Sequence, residues 1–224
     1  MIKGSQTFAL PFLSPGERGV LLAALLGLGA CGSDYKPAVP KQGAAAAPSG
    51  RTATAVFAGG CFWCTEADFE KVPGVTGAVS GYTGGTTDNP TYEQVSSDTT
   101  GHYEAVRVSY DPGRVSYAQL VDYYFRTVDP TDAGGQFCDR GESYRTAIFV
   151  ATDAERRAAE AEKAEIDALL EAPVVTPVLP AAEFYPAEGY HQDYYKKNSL
   201  KYGFYRSRCG RDARLAEVWG TGQR

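Results

Sequence analysis

The sequence predicts an α+β fold, a two-layer sandwich in which helices cover a mixed, mostly antiparallel sheet. Several short segments give strand signals, and the clearest, residues 103–110, alternates apolar and polar side chains. Two capping boxes, each a Ser or Thr followed three residues later by Gln or Glu, predict helix starts. Only three or four helices interrupt the strands, and this pattern is typical of the α+β class.

The elements follow one another along the chain with turn residues between them. The expected strands are residues 54–58, 75–82, 103–110, 145–150 and 174–179. A helix-compatible stretch covers residues 65–70, directly after the first strand. The first capping box begins at Ser116, and the second begins at Thr152 and opens a long charged helix that extends to about Glu171.

The composition limits the kinds of partner. The chain has 224 residues, and 22 Lys and Arg stand against 27 Asp and Glu, which gives a net charge of −5 and a pI near 5.2. The basic residues do not form a long run, so nucleic acid is not an expected partner. The part of the chain after the N-terminal segments is large enough for one folded domain with its own core.

The N-terminal residues carry an export signal pattern. Residues 20–30 form an apolar run, which is too short for a membrane span of roughly 20 residues. The run ends in small residues before Cys31, as secretory signals do. This ending resembles the lipobox of bacterial lipoproteins, in which the cysteine is lipidated and becomes the first residue of the mature chain. An ordinary cleaved signal and an uncleaved anchor are the alternatives.

The lipobox resemblance divides the chain into three parts. Residues 1–30 are expected to be a lipoprotein-type signal peptide, and residues 31–51 the lipidated cysteine with a flexible tether rich in Pro, Gly and Ala. Residues 52–224 then form the folded domain with a mobile C-terminal tail. The expected location is the bacterial cell envelope, with the chain lipid-anchored and facing the periplasm. Gly32 after the cysteine favours the outer membrane.

The most informative feature is Cys61, which follows Gly59 and Gly60 and precedes a helix-compatible stretch. A thiol at a helix N-terminus faces unpaired N–H groups and the positive end of the helix dipole, so its thiolate is expected to be stabilised. Two aromatics, Phe62 and Trp63, form an apolar wall beside it, and Cys64 supplies a second thiol. The segment predicts a nucleophile with its own pocket.

Further segments present polar groups in glycine-rich or turn surroundings. They carry Tyr82, Glu104, Asp139, Tyr144 and the polar and aromatic residues of 188–195. Taken singly, each has an ordinary explanation, since a glutamate at a strand edge is usually solvated and tyrosines in loops mostly pack. The two histidines leave only His102 or His191 as the base of a Cys/His hydrolase. No metal site is expected, because the second CxxC of a zinc ribbon is missing.

Together these segments resemble the motifs of the peptide methionine sulfoxide reductase A family, and they occur in the same order. The matching runs are Gly60-Cys61-Phe62-Trp63, Ser80 to Gly85, Gly101 to Val106, Asp129-Pro130-Thr131, Tyr144-Arg145 and Tyr190-His191-Gln192. The resemblance covers nearly all of residues 54–219. The expected architecture is a ferredoxin-like plait, and the expected activity is reduction of the S epimer of methionine sulfoxide in proteins, with free methionine sulfoxide as a further candidate substrate.

The resemblance also implies roles for individual residues. Cys61 would attack the sulfoxide sulfur, Phe62 and Trp63 would hold the substrate methyl group, and Glu104 would donate a proton to the oxygen. The other implied roles are oxygen binding by Tyr82 and Tyr144, a water and hydrogen-bond network at Asp139, and support from His191 and Tyr194. Burial would have to raise the pKa of Glu104 for it to act as an acid at neutral pH.

Attack would leave Cys61 as a sulfenic acid, which a second thiol converts to a disulfide. The candidates for this resolving thiol are Cys64, one helical turn away, and Cys209, in an arginine-rich tail; Cys138 is a weaker one. The resemblance implies thioredoxin or a thioredoxin-like protein as the reductant and no cofactor. A thioredoxin-like disulfide oxidoreductase that uses the CxxC, and a lipoprotein that only binds partners, are the competing hypotheses.

Overall fold

A computed structural model describes residues 35–40 and 50–220 of the chain. The predicted signal peptide and the lipidation site at Cys31 lie outside the described residues. Within the described ranges, no helix is both long enough and apolar enough to cross a membrane.

The centre of the fold is a six-stranded sheet with the order β7-β6-β1-β3-β2-β8. Its strands are β1 (Ala53–Gly59), β2 (Val75–Thr83), β3 (Tyr103–Tyr110), β6 (Thr146–Val150), β7 (Val178–Pro180) and β8 (Phe184–Pro186), and a small separate hairpin is formed by β4 (Gly135–Gln136) and β5 (Asp139–Arg140). Neighbouring strands are antiparallel except β6 and β7, which are parallel. The prediction of a mixed, mostly antiparallel sheet is confirmed.

The helices complete a ferredoxin-like plait around the central strands. They are α1 (Phe62–Phe69), α2 (Tyr92–Ser96), α3 (Tyr117–Arg126), α4 (Asp153–Leu169), α5 (Tyr194–Lys197), α6 (Ser199–Arg208) and α7 (Arg211–Trp219), with one 3₁₀ turn at Glu142–Tyr144. The order β1-α1-β2-β3-α3-β6, with β1 between β3 and β6, is the split βαβ arrangement. The predicted α+β class is therefore confirmed.

Aromatic packing fixes α1 and α3 on the sheet. The ring of Phe57 on β1 stacks on Phe69 of α1 at 4.8 Å and on Tyr124 of α3 at 5.1 Å, measured between centroids. All three side chains are fully buried. Offset aromatic pairs add about 0.5–1.5 kcal/mol to area burial. This contact holds the end of α1 against β1.

The local sequence signals predict two helix starts correctly but predict one strand too long. Ser116 forms the predicted capping box, and the side chain of Thr152 accepts the N–H of Glu155. The predicted strand over 174–179 begins only at Val178. The N–H of Val174 donates instead to the Asp167 carboxylate at 2.7 Å, so this stretch does not join the ladder.

Both ends of the domain are more ordered than the sequence predicts. The tail expected to be mobile forms α6 and α7, which are joined at Gly210 with a positive φ of 68°, and Leu215 of α7 is fully buried. Within the expected tether, Tyr35 is 8% exposed and donates its hydroxyl proton to the Arg126 carbonyl at 3.0 Å.

Candidate active site

Cys61 is the N-cap of α1, directly after a tight turn at the end of β1. Gly60 makes this turn with a φ of +77°, and a Cβ there would lie 2.5 Å from the Cβ of Gln136. Only glycine fits such a position. The turn brings Cys61 into the lining of a cavity of about 240 Å³.

Cys64 lies one turn along α1 and its thiol is hydrogen-bonded to that of Cys61. Burial and this bond raise the pKa of Cys61, and the nearby Glu104 and Asp139 carboxyls add to the effect. The hydrogen bond from Cys61, together with arginines of the C-terminal helices, lowers the pKa of Cys64 to about 7 against the effect of burial. These effects favour the thiolate at Cys64 over the thiolate at Cys61. Burial, the bond to Cys64 and the nearby carboxyl groups all act against the Cys61 thiolate that the helix N-terminus predicts.

Glu104 on β3 closes one side of the cavity. It is 2% exposed, and its Oε2 accepts the N–H of Phe62 at 2.9 Å. Burial raises the pKa of Glu104 to about 8, and the neighbouring Asp139 carboxyl contributes, although the Phe62 N–H opposes the shift. The carboxyl group is therefore protonated at neutral pH and can donate a proton to a group bound in the cavity.

Three tyrosine hydroxyls face the same space. Tyr92 at the start of α2 and Tyr144 at the end of the 3₁₀ turn line the cavity, and their two hydroxyl groups are hydrogen-bonded to each other. Tyr205 of α6 donates to the Oδ2 atom of Asp139. Burial raises the pKa of Asp139, although the Tyr205 hydroxyl opposes the shift. One wall of the cavity thus carries hydrogen-bonding groups.

The opposite wall is aromatic and is held rigidly. Phe62 is 1% exposed, and the Trp63 ring stacks on Tyr194 with 3.7 Å between centroids and 6° between planes. The Trp63 indole N–H donates to the Nδ1 atom of His191 at 3.0 Å. Burial lowers the pKa of His191, so this ring is neutral and can accept the bond. His191 and Tyr194 thus orient Trp63.

Tyr82 is the predicted site residue that the structure does not bring into the cavity. Its ring is fully buried behind Phe62, and its hydroxyl donates to the Glu188 carboxylate at 2.8 Å. The hydroxyl beside Tyr144 comes from Tyr92, which the sequence reasoning missed. A signal was present, because Thr91 opens a capping box of the same type that located α3.

The cysteines divide into an inner and an outer pair. Cys138 and Cys209 form a disulfide with Cα atoms 4.9 Å apart, while Cys61 and Cys64 are buried free thiols. Cys138 is exposed and Cys209 is half-buried. Of the two main candidates for the resolving thiol, Cys64 is free beside Cys61, and Cys209 is already paired.

Comparison with known proteins agrees with this geometry. The family model described as "Peptide methionine sulfoxide reductase" matches residues 53–223. A peptide methionine sulfoxide reductase MsrA 2 of Caulobacter vibrioides is 58% identical over 79% of this chain and 89% of its own length, and one of Rhizobium meliloti is 54% identical over 74% and 83%.

Two solved structures are similar to this fold. Methionine sulfoxide reductase A of Corynebacterium diphtheriae superposes with a TM-score of 0.61 at 34% identity and covers 67% of this chain and 78% of its own. Reduced Mxr1 of Saccharomyces cerevisiae has a TM-score of 0.64 at 29% identity and covers 73% and 93%. The predicted activity is confirmed: the chain belongs to the peptide methionine sulfoxide reductase family, in its A class, and reduces the S epimer of methionine sulfoxide in peptides.

Proposed function

We propose that Cys61 attacks the sulfoxide sulfur while Glu104 protonates the departing oxygen. The observation that carries this proposal is the pairing of a buried thiol with a carboxyl group that is still protonated at neutral pH, on one small cavity. A sulfoxide oxygen leaves sulfur only when it receives a proton, so a neutral carboxylic acid is the required donor.

The two walls explain how the substrate is oriented. Phe62 and Trp63 accept the methyl group of methionine sulfoxide on the apolar side. Tyr92 and Tyr144 bind the oxygen on the polar side, and Asp139 holds the water network there. Because methyl, oxygen and the attacking sulfur must each meet a different part of the site, only one sulfoxide epimer fits. This arrangement accounts for S selectivity.

Cys64 serves twice in the proposed sequence. As Cys61 attacks, its thiol proton passes along the hydrogen bond to the Cys64 thiolate, and the proton of Glu104 goes to the oxygen. Attack forms an S–S bond as the S–O bond of the substrate breaks. The hydroxide released then adds to the Cys61 sulfur, the S–S bond breaks with both electrons going to the methionine sulfur, and Cys61 becomes a sulfenic acid. The Cys64 thiol then attacks the Cys61 sulfur, its proton leaves with the hydroxyl as water, and a Cys61–Cys64 disulfide remains.

A thioredoxin-like dithiol completes the cycle by thiol–disulfide exchange, which returns two electrons and two protons to the enzyme. Oxidised proteins and peptides that carry methionine sulfoxide are the substrates.

We also propose that Cys31 anchors the enzyme to the bacterial cell envelope through lipid, facing the periplasm. The support is the apolar run of residues 20–30 that ends in small residues before Cys31. The test is incorporation of labelled fatty acid and detergent-phase partitioning of the full chain, with Cys31→Ser as the matched control. Equal partitioning of both chains into the aqueous phase would refute the anchor.

The catalytic proposal is tested by single-turnover reduction of separate S and R sulfoxide peptides with the prereduced Cys31→Ser chain. Product from the S epimer alone is expected. Cys64→Ser should still yield sulfide, more slowly, and accumulate a sulfenic acid that dimedone traps, whereas Cys209→Ser should still form the Cys61–Cys64 disulfide in this first turnover. Efficient reduction of insulin disulfides with no sulfide product would instead favour the thioredoxin-like oxidoreductase.

A further inference from the structure

Arg211 is an unusual residue for the interior of this domain. It is the first residue of α7 and is 1% exposed, the largest fully buried side chain among the described residues. A guanidinium group is unfavourable in the interior unless its charge and its N–H groups are matched. The mechanism proposed above gives Arg211 no role, so its burial calls for an explanation.

The hydrogen bonds of Arg211 fix the place of its guanidinium group but do not neutralise its positive charge. Its Nη2 donates to the carbonyl oxygens of Gly59 at 3.2 Å and Thr127 at 2.8 Å, which are neutral acceptors. Its Nε has no hydrogen-bond partner among the described residues. The Asp68 carboxylate lies 4.0 Å from that nitrogen, but both of its oxygens accept bonds from Arg206.

The location of Arg211 points to the inner thiols. Gly59 ends β1 and immediately precedes the turn that carries Cys61, so a guanidinium bound to its carbonyl lies under the start of α1. The charge of Arg211 acts on Cys64 and favours its thiolate. A buried cation near a thiol is the usual means of activating it, because the thiolate has few water molecules to solvate it.

Both cysteines of the outer disulfide lie near Arg211, one along the chain and the other next to a residue that contacts it. Cys209 precedes it by two residues, and the ring of Phe137, which is next to Cys138, lies over the guanidinium at 4.6 Å from its centroid. Phe137 has a φ of +56°, which is uncommon for a bulky residue and requires support from its surroundings. The Cys138–Cys209 bond ties the residue after Phe137 to the end of α6.

We propose that Arg211 is a positioning residue for Cys64, and that the Cys138–Cys209 disulfide clamps it in place. The outer pair thereby controls the reactivity of the inner pair without exchanging electrons with it. This inference rests on the proposed function of Cys64 as the resolving thiol.

Other charged and titratable groups also face Cys64, and they define the controls. They are Cys61 and Asp68 on α1, Glu104 on β3, Tyr202, Tyr205 and Arg206 on α6, and Arg211 on α7. Arg206 also lowers the pKa of Cys64, but it is paired with two carboxylates, Asp68 and Asp212. Arg211 has no such partner at hydrogen-bond distance.

The test is a direct titration of Cys64 in the Cys31→Ser/Cys61→Ser chain with the outer disulfide intact, where Cys64 is the one remaining free thiol of five cysteines. Thiolate absorbance in the ultraviolet against pH gives its midpoint. Arg211→Gln should raise the midpoint by about one unit or more, whereas Arg211→Lys should keep most of the effect. Arg214→Gln, which removes a cation from the outer face of α7, is the matched control and should not shift it.

A second variant tests the proposal if Arg211→Gln does not fold. Cys138→Ser/Cys209→Ser in the same background should raise the midpoint in the same direction with folding retained, because the clamp is lost. A midpoint in Arg211→Gln or in the clamp variant equal to that of the parent, or a shift with Arg214→Gln as large as any, would overturn the proposal. The titration needs no turnover, so it is independent of whether Cys64 resolves the sulfenic acid.

Discussion

Glu104→Gln tests the proton-transfer step with little change in shape. The amide oxygen can still accept the Phe62 N–H, but the side chain has no acidic proton. With a pKa of about 8, Glu104 is about 90% protonated at pH 7, whereas at its ordinary value of 4.5 the fraction would be about 0.3%. Burial therefore increases the acid form about 300-fold at neutral pH.

The expected result is a fall in the single-turnover rate of sulfide formation of about 10²- to 10⁴-fold, with substrate affinity nearly unchanged. The rate of the parent should fall above about pH 8 as Glu104 loses its proton, and the variant should lack this limb. Glu93→Gln, at an exposed position on α2, is the matched control. An unchanged rate in Glu104→Gln, or a parent rate that does not fall in alkaline solution, would refute the assignment.

The same variant has a stability signature. Folding raises the pKa of Glu104, so between about pH 4.5 and pH 8 the folded state binds more protons than the unfolded state, and stability falls as pH rises through this window. At pH 7 the raised pKa of Glu104 lowers the free energy of unfolding by up to about 3 kcal/mol relative to its value in acid solution. In urea unfolding, Glu104→Gln should be more stable than the parent at neutral pH and should lose this part of the pH dependence. Parallel curves for the two proteins would contradict the shift.

Three other substitutions test separate parts of the account. Tyr35→Phe should lower the free energy of unfolding by about 1 kcal/mol in urea, because it removes the bond to the Arg126 carbonyl. Tyr92→Phe should lower kcat/KM about tenfold, whereas Tyr82→Phe should change it by less than about twofold; the reverse order would show that the wrong hydroxyl was placed in the cavity. Asp68→Asn should cost about 3 kcal/mol in the same unfolding assay, because it removes the buried carboxylate charge that pairs with Arg206, and a loss below about 1 kcal/mol would contradict that ion pair.

Much of the fold follows from local patterns. The alternation in β3 and the capping boxes before α3 and α4 lie within short windows, so the sequence predicts those elements directly. The C-terminal tail was not predicted to form the ordered helices α6 and α7, because their burial depends on contacts with distant parts of the chain. The bond from the Trp219 indole to the Val128 carbonyl is one such contact.

The site shows where sequence reasoning ends. Tyr82 does lie opposite Glu104 across β2 and β3, but its hydroxyl binds Glu188 from a later loop instead of entering the cavity. The helix N-terminus at Cys61 can be read from neighbouring residues. Arg211, which favours the Cys64 thiolate, comes from the far end of the chain and has no local signal near the cysteines.

The outer disulfide joins residues 71 positions apart. No pattern within the sequence pairs Cys138 with Cys209, because neither segment carries a local signal for the other. Only the fold, which brings the β4–β5 hairpin against the end of α6, defines this bond.

The most direct test of the central claim is to map disulfides after a single turnover. The Cys31→Ser chain, with its Cys138–Cys209 bond intact, would react with one equivalent of an S-sulfoxide peptide, be quenched with acid and alkylating agent, and be analysed by peptide mass spectrometry. The account predicts that one Cys61–Cys64 disulfide forms per sulfide released while the Cys138–Cys209 disulfide persists. A first disulfide between Cys61 and either Cys138 or Cys209 would contradict it.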